Sequence, residues 1–156
     1  MKIVRLLLLL CASLCLVAPA HARTVLEEYL PAAAASDLVP GAEGFGSIRK
    51  DLAVAPVLKR GQTVAWVFMT SDFVGTTGYS GKPIHTLVAI GTDARIVGVK
   101  LVKHSEPIVL IGIPETKVNA LVASYAGLDI VTEAKSGGTG HEVDIISGAT
   151  VTVMVI

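Results

Sequence analysis

Cysteine is nearly absent from this sequence. The two present, Cys11 and Cys15, both fall within the N-terminal stretch MKIVRLLLLLCASLCLVAPAHA. There Lys2 and Arg5 form a positive n-region, Leu6 to Val17 an apolar h-region, and Ala20-His21-Ala22 a small-x-small cleavage site. That is the pattern of a secretory signal peptide, expected to span residues 1–22. The apolar run is about a dozen residues, short of the ~20 needed to span a bilayer. No small-residue lipid-attachment pattern precedes either cysteine, and no arginine pair is present. A periplasmic destination follows. The mature chain, residues 23–156, would then hold no cysteine, which excludes disulfides and thiolate chemistry in an oxidising compartment.

Charge of either sign is also scarce. Lys2 and Arg5 leave with the signal, so 11 basic residues remain against 13 acidic ones. Aromatic residues make up only 4% of the chain, too few to stack bases. With no basic stripe either, a nucleic-acid partner is not expected. There is no P-loop, no dinucleotide fingerprint after a strand, and no Ser/His/Asp nucleophile signature. A stand-alone enzyme working by acid–base or covalent catalysis therefore has little support. His85 and His141 are isolated in sequence, and His104 has only Glu106 nearby. Two ligands do not make a metal site, so none is assigned.

What is present fits one domain over 23–156, long enough for a real core. Thr24-Val25-Leu26-Glu27 matches a capping box and predicts a short helix that Pro31 interrupts. Leu38 to Lys50 is Pro/Gly-rich and reads as a turn. Gln62 to Thr70, rich in β-branched and aromatic residues, predicts a strand buried on both faces. TLVAIG and ARIVGVKLVKH predict two more strands, joined at Gly91-Thr92-Asp93 by a hairpin turn. In PETKVNALVASYAGLDI, Val118, Leu121, Val122 and Tyr125 recur at helical spacing, with Pro114 in the first turn and Gly127 at C′. HEVDII, residues 141–146, predicts a last strand. Hairpin-linked strands with separate helices point to an α+β domain, an antiparallel twisted sheet with packed helices.

Three stretches could carry chemistry. The cassette Ser147-Gly148-Ala149-Thr150 is small enough for its backbone amides to approach an anion, and Thr150 offers a hydroxyl. By spacing alone it reads more simply as a tight turn between two strands. The loop from Ser71 to His85 contains Gly78-Tyr79-Ser80-Gly81. A 15-residue loop inside a compact domain favours a function. Tyr79 could stack on a flat ring. Finally, His104 and Glu106 are two apart at a strand end, which would put them on one strand face. They could act as acid and base or hydrogen-bond a ligand.

DIISGATVT, residues 144–152, resembles the flavinylation motif of the FMN-binding domain family: an Asp, two residues, Ser or Thr, then Gly-Ala-Thr. SDFVGTTGYSGKPIHTLVAIG and KLVKHSEPIVLIGIPE are similar to the N-terminal periplasmic domain of the nitrous-oxide-reductase regulator family (NosR/NirI type). Other branches usually have Glu-Thr-Pro-Gly where this chain reads HSEPIV. The resemblance covers about Val25 to the end.

It implies an FMN-binding domain fold and a covalent cofactor. A dedicated flavin transferase would move FMN from FAD onto Thr150 as a phosphoester. Asp144, Ser147, Gly148 and Ala149 would be the recognition sequence and the phosphate's bed. Thr152 lies past the motif and is the weaker candidate acceptor. Gly78, Tyr79, Ser80 and Gly81 would flank the flavin, as would His104 and Glu106. Full-length relatives continue into transmembrane helices and cytoplasmic iron–sulfur modules, anchoring them in the inner membrane. This chain is accordingly expected to be an N-terminal fragment. The implied role is electron transfer or regulation in a membrane complex for nitrous-oxide reduction. The alternative is a secreted binding or sensor module without covalent flavin.

Overall fold

The computed structural model describes residues 23–137 together with Thr150 and Thr152. The stretch expected to be a signal peptide and the strand expected at 141–146 lie outside the described residues. Helix α1, Val25–Tyr29, starts as the capping box requires. The Thr24 hydroxyl accepts the Glu27 N–H at 3.2 Å, and the Glu27 carboxylate accepts the Thr24 N–H at 3.1 Å. The two amides that the box cannot reach are those of Val25 and Leu26. Both donate to the carboxylate of Asp72, at 2.7 and 2.8 Å. A helix this short has little stability of its own. Capping by Asp72, just after β3, and burial of Leu26 together hold it on the sheet. Pro31 falls in a 3₁₀ turn, Leu30–Ala32, and a second such turn covers Ala35–Asp37.

Five strands follow: β1 (Gly44–Phe45), β2 (Val54–Lys59), β3 (Gln62–Met69), β4 (His85–Gly91) and β5 (Ile96–Lys103). They form one antiparallel sheet in the order β1-β2-β3-β4-β5, so every strand pairs with its sequence neighbours. The β2–β3 turn is the two-residue pair Arg60-Gly61, with φ of 51° and 72°. Positive φ at both centres is what a type I′ hairpin needs, and it suits the sheet's twist.

β2 has no counterpart among the strands predicted from the sequence, and Pro56 stands in its middle. The Pro56 carbonyl accepts the Gly46 N–H, so its missing donor faces the β1 edge. Pairing there cannot be completed, and β1 stops at Phe45 after two residues.

One face of the sheet carries the main core. Leu26, Leu30, Ala35 and Leu38 cover Ala55, Val57, Ala65, Val67, Met69, Leu87 and Ala89. Contact is closest at Gly98 in β5, where the backbone of Leu38 lies directly against the sheet. The helices α2 (Pro107–Ile111), α3 (Glu115–Ser124) and α4 (Ile130–Ser136) complete the described chain. Ile113, Val118 and Leu121 pack with Leu101 of β5 as a second, smaller core.

The helix expected to stop before Gly127 does so, and a separate short helix follows. α3 ends at Ser124, Gly127 turns the chain with φ of 89°, and the Asp129 carboxylate caps α4 by accepting from Val131 and Thr132. Arg95 joins the two parts, donating to the Gly127 carbonyl and to Asp129. The α+β expectation holds: an antiparallel sheet with helices packed on it. Among the described residues no helix is long and apolar enough to cross a membrane.

Candidate functional site

β5 ends at Lys103, and the chain turns at once into α2. His104 and Glu106 therefore do not share a strand face, as their spacing had suggested. Pro107 is set for a helix's first turn and disfavours continued pairing. The Glu106 carbonyl accepts the Val109 and Leu110 amides, which makes it the starting point of the helix. Its side chain turns inward and is fully buried.

The buried carboxylate is met by three donors. The Tyr79 N–H reaches Oε2 at 3.0 Å, and the Ser80 N–H reaches Oε1 at 3.1 Å. The Thr152 hydroxyl donates to Oε2 at 2.6 Å. The Gly78–Gly81 turn is closed by its own bonds, from Gly81 N–H to the Gly78 carbonyl and from Gly78 N–H to the Lys82 carbonyl. A Thr77–Pro83 bridge holds its base. A larger residue at Gly78 would force the Glu106 carboxylate to move. A Cβ at that position would sit 2.3 Å from Glu106 Oε1. The turn and the carboxylate are fitted to each other.

Among the described residues no basic side chain forms an ion pair with Glu106. Burial alone raises its pKa. The hydrogen bonds from Thr152, Ser80 and Tyr79 outweigh that and hold it below the ordinary 4.5. A folded-state pKa below the unfolded value means a stabilising contribution that is complete above the unfolded value. That contribution is lost as pH falls through the folded one. Acidification below about 4.5 should therefore loosen the Gly78–Gly81 turn before the sheet. Amide exchange at Tyr79 and Ser80, followed from pH 6 to pH 3 with intrinsic rates corrected, checks this. Unchanged protection to the point of global unfolding would contradict it.

Gly78, Tyr79, Ser80 and Glu106 come together, and Gly81 closes their turn. His104 borders the cluster: its Nδ1 accepts a long 3.4 Å bond from the Glu106 N–H. It also lines a cavity of about 480 Å³ walled by Leu101, Val109, Ile113 and Val118. Asp144, Ser147, Gly148 and Ala149 lie outside the described residues.

Thr150 and Thr152 are both helical, so the reading of a turn between two strands is corrected on its downstream side. Thr150 is exposed, whereas Thr152 is 2% exposed. Thr152, the weaker acceptor by motif, is thus the residue tied to the cluster. No local sequence signal marks that role, because its partner is 46 residues away.

His85, isolated in sequence, is not isolated in space. Its Nδ1 is 2.6 Å from the Ser71 hydroxyl, and its ring lies 5.5 Å from that of Tyr29. Burial, and then the nearby Lys103, lowers its pKa.

The site can therefore offer an exposed hydroxyl at Thr150 and a ring at Tyr79 that is 78% exposed. Both belong to segments fastened to one buried carboxylate. These are means to carry a group with a flat ring and a point of attachment.

The FMN-binding domain family model matches residues 78–156, about half of the chain, from the Gly78 turn through both threonines. The chain is 37% identical over 125 residues to the regulatory protein NosR of Pseudomonas aeruginosa, covering 78% of this chain and 18% of that protein. It is 36% identical over 121 residues to the regulatory protein NosR of Stutzerimonas stutzeri, covering 75% and 17%. It is 33% identical over 156 residues to the protein NirI of Paracoccus denitrificans, covering 97% and 22%. The chain thus spans about a fifth of the length of these curated relatives. No solved structure matches it. With the Gly78 turn, Glu106 and both threonines inside or bordering the matched region, this chain belongs to the FMN-binding domain family.

Proposed function

We propose that this chain is a periplasmic flavin-carrying domain with FMN esterified to Thr150, serving electron transfer or regulation in a membrane complex for nitrous-oxide reduction. A signal peptide over residues 1–22 would export it. A flavin transferase would load it, drawing on FAD. Its partners would be membrane electron-transfer or nitrous-oxide-reductase components.

The observation that carries this reading is the contrast between two threonines two residues apart. Thr150 is exposed and can be reached by an enzyme, while Thr152 is buried against Glu106. The residues fit a phosphoester-linked flavin. Among the described residues no hydrogen bond depends on the Thr150 hydroxyl, and the exposed Tyr79 ring can cover a flat face. Asp144, Ser147, Gly148 and Ala149 would be the transferase's recognition sequence. Backbone amides of the Ser147–Thr150 cassette would receive the phosphate charge without needing a lysine. The flavin would supply the redox chemistry, and the protein its attachment, orientation and electrostatic setting. Gly78, Tyr79, Ser80, Gly81, His104 and Glu106 would border it.

The test is a mass measurement. Protein coexpressed with a flavin transferase and exported to the periplasm is digested. The peptide containing Thr150 should carry the added mass of FMN, less water. An unmodified peptide would instead favour a secreted binding or sensor module without covalent flavin.

A further inference from the structure

We propose that the Thr152–Glu106 hydrogen bond is an anchor that presents Thr150 to the transferase, which makes Thr152 and Glu106 positioning residues for the modification. This rests on the reading of Thr150 as acceptor. Successive helical residues are turned by 100°, so side chains two apart point to nearly opposite sides. Fixing Thr152 inward therefore fixes Thr150 outward, as observed.

The anchor is selective for a hydroxyl. The Thr152 Oγ1 donates over 2.6 Å to a carboxylate with no exposure. A valine would fill the same space but leave Oε2 one donor short, and an under-bonded buried carboxylate is costly. The other end of the anchor is equally fixed. The same carboxylate holds the Tyr79 and Ser80 amides, and Gly78 lets the turn close on it. The exposed acceptor and the exposed Tyr79 ring are thereby set relative to each other through Glu106.

The transfer forms a bond from Oγ to phosphorus and breaks the pyrophosphate bond of FAD. AMP and the hydroxyl proton leave. Thr152 is unsuited to this step, because its Oγ is buried and its proton is already committed to Glu106.

The experiment measures the initial rate of flavin incorporation into the unmodified protein, supplied with a flavin transferase and FAD. Covalent flavin is read as fluorescence in denaturing gels. Thr152→Val is expected to incorporate flavin at least tenfold more slowly. Thr152→Ser, which restores the hydroxyl, should stay within about twofold of wild type. Amide exchange at Tyr79 and Ser80 in unmodified Thr152→Val should speed up, a readout that does not involve the transferase. Glu106→Asp withdraws the carboxylate by one methylene and should behave like Thr152→Val. It also provides a second measurement if the valine variant does not fold.

A wild-type rate in a folded Thr152→Val or Glu106→Asp protein overturns the anchor while leaving Thr150 as acceptor. Flavin mapped to Thr152 itself also overturns it. A wild-type chain that takes up no flavin removes the acceptor reading, and the presentation role falls with it. The exchange data then still report whether Thr152 holds the turn.

Discussion

Thr150→Ala should give a colourless protein after acid precipitation, whereas the wild type should keep its yellow colour in the pellet. The loss is expected to be complete, because a phosphoester needs the hydroxyl oxygen and alanine supplies none. Thr150→Ser should retain the colour. Stability should hardly move, within about 0.5 kcal/mol, since Thr150 is exposed and surface changes away from special features cost little. The pairing of a total chemical effect with a negligible thermal one separates an acceptor from a structural residue. Covalent flavin surviving in the alanine variant would move the attachment elsewhere. Flavin that remains only in the supernatant would show loose, non-covalent binding.

The largest expected effect on stability lies at Gly98. A Cβ there would sit 2.0 Å from the Leu38 carbonyl oxygen and 2.6 Å from its carbon. These are backbone atoms, so no side-chain rotation relieves the clash. β5 would have to separate from the Ala35–Leu38 segment. That would uncover Leu38, which is 2% exposed, and pull apart Lys100 and Asp37. Overpacking usually costs 1–3 kcal/mol, and one against rigid backbone should reach about 3 kcal/mol or more. For a domain of this size that corresponds to a drop in Tm of roughly 10 °C. Gly44→Ala in β1 is the control, because a Cβ there meets nothing within 4 Å. Equal melting temperatures for the two variants would contradict the close approach at Gly98.

How far the fold could be read from sequence depended on how local each cause was. The capping box at Thr24 and Glu27 is contained in four residues, and it forms as written. Val118, Leu121 and Val122 are buried, as their spacing predicts. The β4–β5 hairpin also follows from its own sequence. β2 was hidden by Pro56, whose missing donor is harmless only because it faces the short β1 edge. The Asp72 cap on α1 joins residues 46 and 47 apart in sequence, and nothing near either end announces it.

The site divides in the same way. The Gly78–Gly81 turn stood out because its loop is long and glycine-rich. Glu106 was singled out for the wrong geometry: Pro107 starts a helix and turns its carboxylate inward. Thr152 drew attention only as a second-best hydroxyl. Its importance comes from a tertiary contact, which has no periodicity or motif to betray it.

The neighbour-to-neighbour order of the sheet also bears on timing. Each strand pairs with the one just before it, so every step of sheet assembly closes a modest loop and costs little chain entropy. The Glu106–Thr152 bond is different, since it draws together residues 46 apart and needs both α2 and the Gly78 turn already in place. It is suited to forming late. On the reading proposed above, an incompletely folded chain carries the same motif letters but cannot hold Thr150 in the same attitude. Flavin attachment would then double as a checkpoint, with the cofactor spent only on domains that have finished folding.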